Sequence, residues 1–438
     1  MIFYLCNSTK QHLLLDNNMG HLTVKSYNTL YKRMDQDVSA PFDSAEFYEI
    51  LKILFTDEEA ILCSVMPLLP ASLERISKIW ETPVKETFSI LKILVGKGLV
   101  YENEFNGAKL YTLAVPVFGF FEFSLMRNDG KFNRKLLSEH YTNYINKNDG
   151  FIKKYCGNKP NISRTFVHEK TLTKEATSEI LSYEKSSHII DEADVISVGT
   201  CFCRHKKEHT GEACDNPQDV CLSFGTIARS LIEEGIAREI NKTEAIKILN
   251  LCVSKGLVQI GDNVKNKPVV ICNCCGCCCD LLCAYKKTGM STIVSPSSYV
   301  AKIDNTICND CGLCEKKCPV DAISKNNGKF VVNSSWCLGC GVCSTFCKTK
   351  ACMLISRPEK VFVPDDIIHK VVLAAIYQAK VGNFLFDNQK KLTHKILRNT
   401  INLIVKLHFI KWILFKRTVQ NKIVKIALEK NNIAGMNL

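Results

Sequence analysis

Two stretches decide how this chain reads: CNDCGLCEKKCP (308–319) and CLGCGVCSTFCK (337–348). Cys308, Cys311, Cys314 and Cys318 recur in the same spacing as Cys337, Cys340, Cys343 and Cys347. Gaps of two residues let three thiolates wrap one iron–sulfur cubane, while the fourth cysteine reaches away. Gly312, Gly339 and Gly341 inside the repeats let backbone N–H groups approach cluster sulfurs. Zinc also accepts CxxC pairs. Two complete four-cysteine repeats, the first closing on Cys318-Pro319, favour iron–sulfur. The second closes on Cys347-Lys348, a departure that touches loop geometry and not the ligand.

This segment resembles a bacterial dicluster ferredoxin domain, where the fourth cysteine of each repeat serves the other cluster. The expected ligands of one 4Fe–4S cluster are therefore Cys308, Cys311, Cys314 and Cys347. Those of the second are Cys337, Cys340, Cys343 and Cys318. One-electron transfer is the function such a pair implies.

Working outward, 24 of the 438 residues are cysteine, about four times average usage. Eight lie in the repeats, twelve between Cys201 and Cys283, and Cys6, Cys63, Cys156 and Cys352 are scattered. The scattered four read as small buried hydrophobes. A 46% apolar and 23% charged composition excludes a disordered or fibrous chain. No apolar run reaches the ~18–20 residues of a membrane span, and MIFYLCNSTK lacks the make-up of a signal peptide. A cytoplasmic location is expected, where thiols stay reduced and metal ligation is their leading use. The net charge of +13 is uneven: residues 386–438 carry eleven Lys/Arg against two acids. The rest is near balance, which argues against nucleic acid as a partner.

Between the termini stand two further thiol groups. CFCRHKKEHTGEACDNPQDVC (201–221) supplies Cys201, Cys203, Cys214 and Cys221, with Arg204, His205 and His209 as candidate donors to thiolates. CNCCGCCCDLLC (272–283) supplies Cys272, Cys274, Cys275, Cys277, Cys278, Cys279 and Cys283. Neighbouring side chains diverge in helices and strands. Cys277, Cys278 and Cys279 therefore sit on an irregular loop or serve different partners. A further iron–sulfur centre or a zinc site is expected from this block. Cys274-Cys275-Gly276 is similar to the CCG strings that hold noncubane clusters in heterodisulfide reductases, without that family's long spacings.

The fold expected is α+β and multidomain. A polar leader occupies 1–40, where DNNMGHLTVKSY shows no clear period. A winged-helix-like domain follows over 41–125, with Ser44 and Thr82 as helix caps, Pro83 in a first turn and Asn106-Gly107 turning a strand pair. A Cys-rich α+β domain fills 126–298, the 2×4Fe–4S ferredoxin-like domain 299–357, and an amphipathic basic helical tail 358–438. Residues 44–116 hold ten acids and seven bases, a poor match to DNA phosphate. Scaffolding or partner binding suits them better. In the tail, 390–417 draws as one helix. Lys391, Lys395, Arg398, Asn402 and Lys406 form a stripe, and Ile401, Ile404, Leu407, Ile410, Trp412 and Leu414 cover much of the rest. That pattern suits an anionic membrane surface, a partner, or its own domain.

The chain as a whole resembles a group of uncharacterised 4Fe–4S dicluster proteins of anaerobic bacteria and archaea. The resemblance rests on LFTDEEA (54–60), GFFEFSLMR (119–127), RTFVHE (164–169), CFCRHKKEHTGEAC (201–214), GLVQIGDNV (256–264), ICNCCGCCC (271–279) and CLGCGVC (337–343), from about Val24 to Asp387. It implies iron–sulfur binding and electron transfer without naming a substrate. Arg127, His168 and Glu169 lie in these stretches and are expected in a buried ion pair or helix cap. Three functions compete: an electron carrier acting with a redox protein partner, a reductase with a substrate-active cluster at the 201–283 cysteines, and a redox-sensing winged-helix regulator. No Rossmann fingerprint or phosphate-binding glycine loop occurs in the sequence, so electrons are expected from a protein partner.

Overall fold

The computed structural model describes residues 19–105, 107–126, 132–147, 149–172, 182–359 and 361–430. Cys6, Asn106, Arg127 and the side chain of Cys156 lie outside that set.

The front of the chain is helical. Ser44 accepts the N–H of Phe47 and starts the helix Ala45–Leu54. Thr56 and Glu59 form a reciprocal capping box for Asp57–Cys63. The strands β1 (Ala71–Ser72), β2 (Val100–Phe105) and β3 (Ala108–Leu113) make an antiparallel sheet in the order β1-β3-β2. Between them lie the helices Leu73–Trp80 and Val84–Gly96. Thr82 does not cap the second of these. Pro83 holds the cap position, and the Thr82 hydroxyl instead meets that of Thr87 at 2.6 Å.

The polar leader is corrected over its second half. Met19–Met34 is a helix, and Tyr27, Leu30, Tyr31 and Met34 are buried in the main core with Phe47 and Leu51. Those four sit at i, i+3, i+4 and i+7, one face of a helix. The same helix anchors the far end of the chain. Buried Arg33 pairs with buried Asp387 at 2.5 Å, and Asp387 also accepts the N–H of Leu68.

The middle of the chain builds a seven-stranded sheet. Its strands are β4 (Ser163–Thr165), β5 (Ile196–Thr200), β6 (Asp219–Phe224), β7 (Ala237–Ile240), β8 (Val258–Asp262), β9 (Val270–Cys274) and β10 (Val294–Ser295). Their order is β10-β4-β8-β9-β6-β5-β7, antiparallel except for β10 against β4. One face buries Ile196, Val198, Leu222, Phe224 and Ile271 against Ala245 and Leu249 of the helix Lys242–Lys255. Alternation then turns Cys221 and Ser223 of β6, with Cys272 and Cys274 of β9, to the other face.

The repeats lie in the two connections between a bracketing strand pair and a central hairpin. β11 (Tyr299–Ile303) pairs with β14 (Cys352–Ser356), and β12 (Ile323–Asn326) with β13 (Lys329–Val332), both antiparallel. The tail is not one helix over 390–417. It breaks into Leu392–Val405, His408–Leu414 and Arg417–Lys430, packed on Ile367–Tyr377 and Val381–Leu385. Arg398 and Asn402 leave the supposed polar stripe. Arg398 donates to Gln36 and Gln389, and Asn402 accepts the N–H of Gly382. Among the described residues, no helix is long and apolar enough to cross a membrane.

Candidate iron–sulfur and thiolate centres

Cys318, Cys337, Cys340 and Cys343 line one small cavity. Backbone N–H groups point at these sulfurs: Ala322 to Cys318 at 3.2 Å, and Gly339 and Ala301 to Cys337 at 3.4 and 3.5 Å. Such donors stabilise a thiolate and suit a cluster ligand. Gly339 and Gly341 both have positive φ. A side chain at Gly339 would strike the Tyr299 carbonyl at 2.0 Å, so the loop needs glycine there. In the other half, Cys314 is buried, Cys308 and Cys347 half-buried and Cys311 exposed. The Cys352 N–H points at the Cys347 sulfur at 3.2 Å. Arg357 straps the unit together, donating to the carbonyls of Ser297, Tyr299, Ser334 and Cys337.

The remaining thiols divide into two sets. Cys214, Cys275, Cys277 and Cys278 bring their sulfurs within 4.8 Å of one another. The Cys214–Cys275 and Cys277–Cys278 separations are 3.7 and 3.8 Å. Arg204, fully buried, places Nη1 3.7 Å from the Cys275 sulfur and donates to the Asn273 carbonyl. The Cys278 thiol and then the Arg204 charge hold Cys275 down to about 4.

The second set comprises Cys201, Cys203, Cys221, Cys272, Cys274 and Cys279, around a cavity of about 170 Å³. Phe121, Phe123, Met126 and Phe202 also line it, together with Glu122, Asp262 and Asp280. Cys201 and Cys279 stand at the N-caps of the helices Phe202–His209 and Asp280–Thr288, where the helix dipole favours negative charge. Neighbouring thiols form an arc. Cys272 has Cys221 and Cys274 as neighbours, and Cys279 has Cys274 and Cys203. These neighbouring thiols pull Cys272 well below the usual thiol range and Cys279 down to about 5. Burial pushes Cys201 up to about 12.

Of the expected donors, only Arg204 reaches a sulfur. His205 Nδ1 lies 2.5 Å from the Leu125 carbonyl, and its Nε2 faces His209 at 3.2 Å. His205 therefore joins the helix to the front of the chain, and His209 packs on His205; neither serves a thiolate. Cys283 sits in neither set, with its sulfur 3.5 Å from the Cys277 carbonyl. Sequence reasoning missed Asp280 and Lys206. Buried Lys206 pairs with Asp280 at 2.6 Å, and the other Asp280 oxygen faces the Cys203 sulfur at 3.9 Å. His168 is neither ion-paired nor a side-chain cap. Its Nε2 meets the Leu257 carbonyl at 3.0 Å, its Nδ1 faces the Thr345 hydroxyl at 2.9 Å, and its N–H donates to the Cys340 carbonyl. It bolts the repeat unit to the seven-stranded sheet. Glu169 accepts from the Ser187 N–H and hydroxyl at the start of the helix Ser186–Glu192.

Two four-cysteine repeats on either side of a central hairpin, with backbone donors aimed at the sulfurs, define a ferredoxin-type iron–sulfur protein. The 4Fe–4S dicluster domain matches residues 301–348, and through it the chain belongs to the dicluster ferredoxin family. Ferredoxin-1 of Rhodobacter capsulatus is 36% identical over 58 residues, which are 12% of this chain and 89% of that protein. A protein of Escherichia coli (strain K12) whose name proposes electron transport is 29% identical over 101 residues, covering 20% of this chain and 64% of its own length. An uncharacterised ferredoxin of Methanocaldococcus jannaschii is 29% identical over 91 residues, or 20% of this chain and 53% of that one. The chain thus spans less than two thirds of the length of these last two relatives. No solved structure matches it.

Proposed function

We propose that this chain passes single electrons between a redox protein partner and its own interior through two 4Fe–4S clusters. Cys308, Cys311, Cys314 and Cys347 would hold the outer cluster. Cys337, Cys340, Cys343 and Cys318 would hold the inner one, and the observation that carries this is their shared cavity with N–H donors at the sulfurs. The exposed edge at Cys311 is where the partner would exchange electrons. Bound clusters supply one-electron redox chemistry, while the chain supplies the thiolates, the N–H donors and exclusion of water around the inner group. Cys214, Cys275, Cys277 and Cys278 add a site for one tetrahedral ion. A metal–sulfur distance of ~2.3 Å places tetrahedral sulfurs about 3.8 Å apart, which supports zinc there.

The helices and sheet over residues 45–113 are read as a winged helix used for scaffolding. Val84, Phe88 and Ile93, all on the helix Val84–Gly96, are exposed apolar groups that suit a protein rather than phosphate. The tail helices are read as resting on an anionic lipid surface. They expose Leu403, Leu407, Phe409 and Trp412 among lysines.

Iron, acid-labile sulfide and EPR analysis of anaerobically purified protein tests the central reading. About eight irons from the repeats and reducible 4Fe–4S signals are expected. Trace iron after reconstitution would end it.

A further inference from the structure

Resting on the iron–sulfur reading above, we propose that Cys201, Cys203, Cys221, Cys272, Cys274 and Cys279 bind a third, multinuclear iron–sulfur cluster in the cavity they line. It is a separate centre from the one-ion site of Cys214, Cys275, Cys277 and Cys278.

Three observations carry this. The first is convergence. The six thiols come from two adjacent strands and two helix starts, far apart in sequence, and all face one space. Packing cysteines look different: Cys63 and Cys252 are fully buried and are not among the residues that line this cavity. None of the six is in a disulfide.

The second is spacing. One tetrahedral ion needs its sulfurs gathered around a point, as in the Cys214 set. Among the described residues that set meets this condition, and no three of the six do. Five of them stand side by side in the order Cys221, Cys272, Cys274, Cys279 and Cys203, along the lining of one cavity. An arc of thiols around a void fits several irons bridged by sulfide, each held by its nearest thiolate.

The third is the chamber. At about 170 Å³ it exceeds the ~150 Å³ of an engineered cavity that admits benzene, so a group of several atoms fits. Phe121, Phe123 and Met126 add apolar lining beside the thiols. The N-termini behind Cys201 and Cys279 oppose the negative charge of the thiolates. The cysteine loop also abuts the ferredoxin unit: a Cβ built at Gly276 would lie 2.4 Å from the Pro319 carbonyl oxygen. The inner ferredoxin cluster, whose ligand Cys318 precedes Pro319, would be its electron donor across this loop. The redox change is one electron gained from that cluster and later released, with no atom transferred.

The test counts metals in full-length protein reconstituted anaerobically with iron, sulfide and zinc. Wild type is expected to hold about twelve irons, eight from the two ferredoxin clusters and the rest in the cavity, together with one zinc. Cys221→Ala with Cys272→Ala removes the excess iron and its EPR signal, while the ferredoxin signals and the zinc remain as evidence of folding. Cys214→Ala with Cys277→Ala removes zinc alone. Cys221→Ala alone, at one end of the arc, alters the third signal even where the double variant fails to fold. Wild-type protein with only about eight irons would overturn the third cluster and leave the electron-carrier reading intact. So would excess iron that survives the cavity substitutions. Trace iron would overturn both.

Discussion

Gly276 offers a direct test of the contact between the cysteine loop and the ferredoxin unit. Its φ is not in the left-handed region, so alanine meets no backbone penalty there. The obstacle is space. A Cβ at this position lies 2.4 Å from the Pro319 carbonyl oxygen and 3.1 Å from both its carbonyl carbon and Cα. Ordinary C···O contact needs about 3.3–3.6 Å, so the surfaces must part by roughly 1 Å. Pro319 cannot yield alone. It follows Cys318, whose sulfur receives the Ala322 N–H, and precedes fully buried Val320. Overpacking of this kind costs about 1–3 kcal/mol. The gap would also spread to Cys275 and Cys277 on either side of the glycine. Gly276→Ala is therefore expected to lower the melting temperature by a few degrees. It is also expected to speed zinc loss to a chromogenic chelator about tenfold or more, the scale seen when support of metal ligands is disturbed. Gly328→Ala is the control. Gly328 has φ +78° with nothing near its Cβ, so it costs about 1–2 kcal/mol of backbone strain and leaves zinc release unchanged. A Gly276→Ala protein matching wild type in both readouts would refute the contact.

Further outcomes follow from other residues. Burial holds His168 below the usual imidazole range, so the fold carries it neutral while the unfolded chain protonates near pH 6.5. Its stabilisation is complete above that pH and is lost as pH falls toward the lowered folded value. Denaturation midpoints between pH 7.5 and 5.5 are expected to fall more steeply for wild type than for His168→Gln, and equal slopes would refute this. Arg357→Met strands the carbonyls it serves and is expected to cost about 2–3 kcal/mol, with a changed EPR signal from the inner cluster; an unaltered spectrum and midpoint count against the strap. Cys318→Ala is expected to cost the inner cluster's irons while sparing the outer signal, and loss of the outer signal alone would reverse the ligand assignment. Phe409→Ala with Trp412→Ala is expected to weaken sedimentation with phosphatidylglycerol vesicles at least about tenfold. Binding that persists in the variant, or that is as strong on neutral vesicles, would argue against the lipid-facing tail.

What could be read from the chain depended on how local the encoding is. The repeats are legible because a cluster ligand set lies within a few residues and carries its own glycines. The helix Met19–Met34 carried a local signal that the leader reading passed over: Tyr27, which ends the polar stretch, is followed at helical spacing by Leu30, Tyr31 and Met34. The division of the middle cysteines was not. Cys274 and Cys275 are neighbours, yet one lines the arc and the other belongs to the one-ion site. Their fates are set by the end of β9 and by which partners, Cys221 or Cys214, the sheet brings close. Alternation along CNC in β9 hints at a shared face for Cys272 and Cys274. Nothing local announces that buried Lys206, in a run of basic residues, will turn inward to Asp280 while His205 and His209 turn to Leu125 and each other.

The arrangement also gives the thiols a direction. Cys311 is exposed, whereas Cys337, Cys340 and Cys343 are buried, so the proposed clusters run from the surface inward. The inner group lies where His168 joins the Cys340 and Leu257 backbones and where Gly276 meets Pro319. Beyond that contact stand ten thiols in two sets. A carrier that only shuttles electrons between surface partners has no need of six further thiols gathered around one cavity. A chain that gathers electrons one at a time does, and that is the role proposed for them.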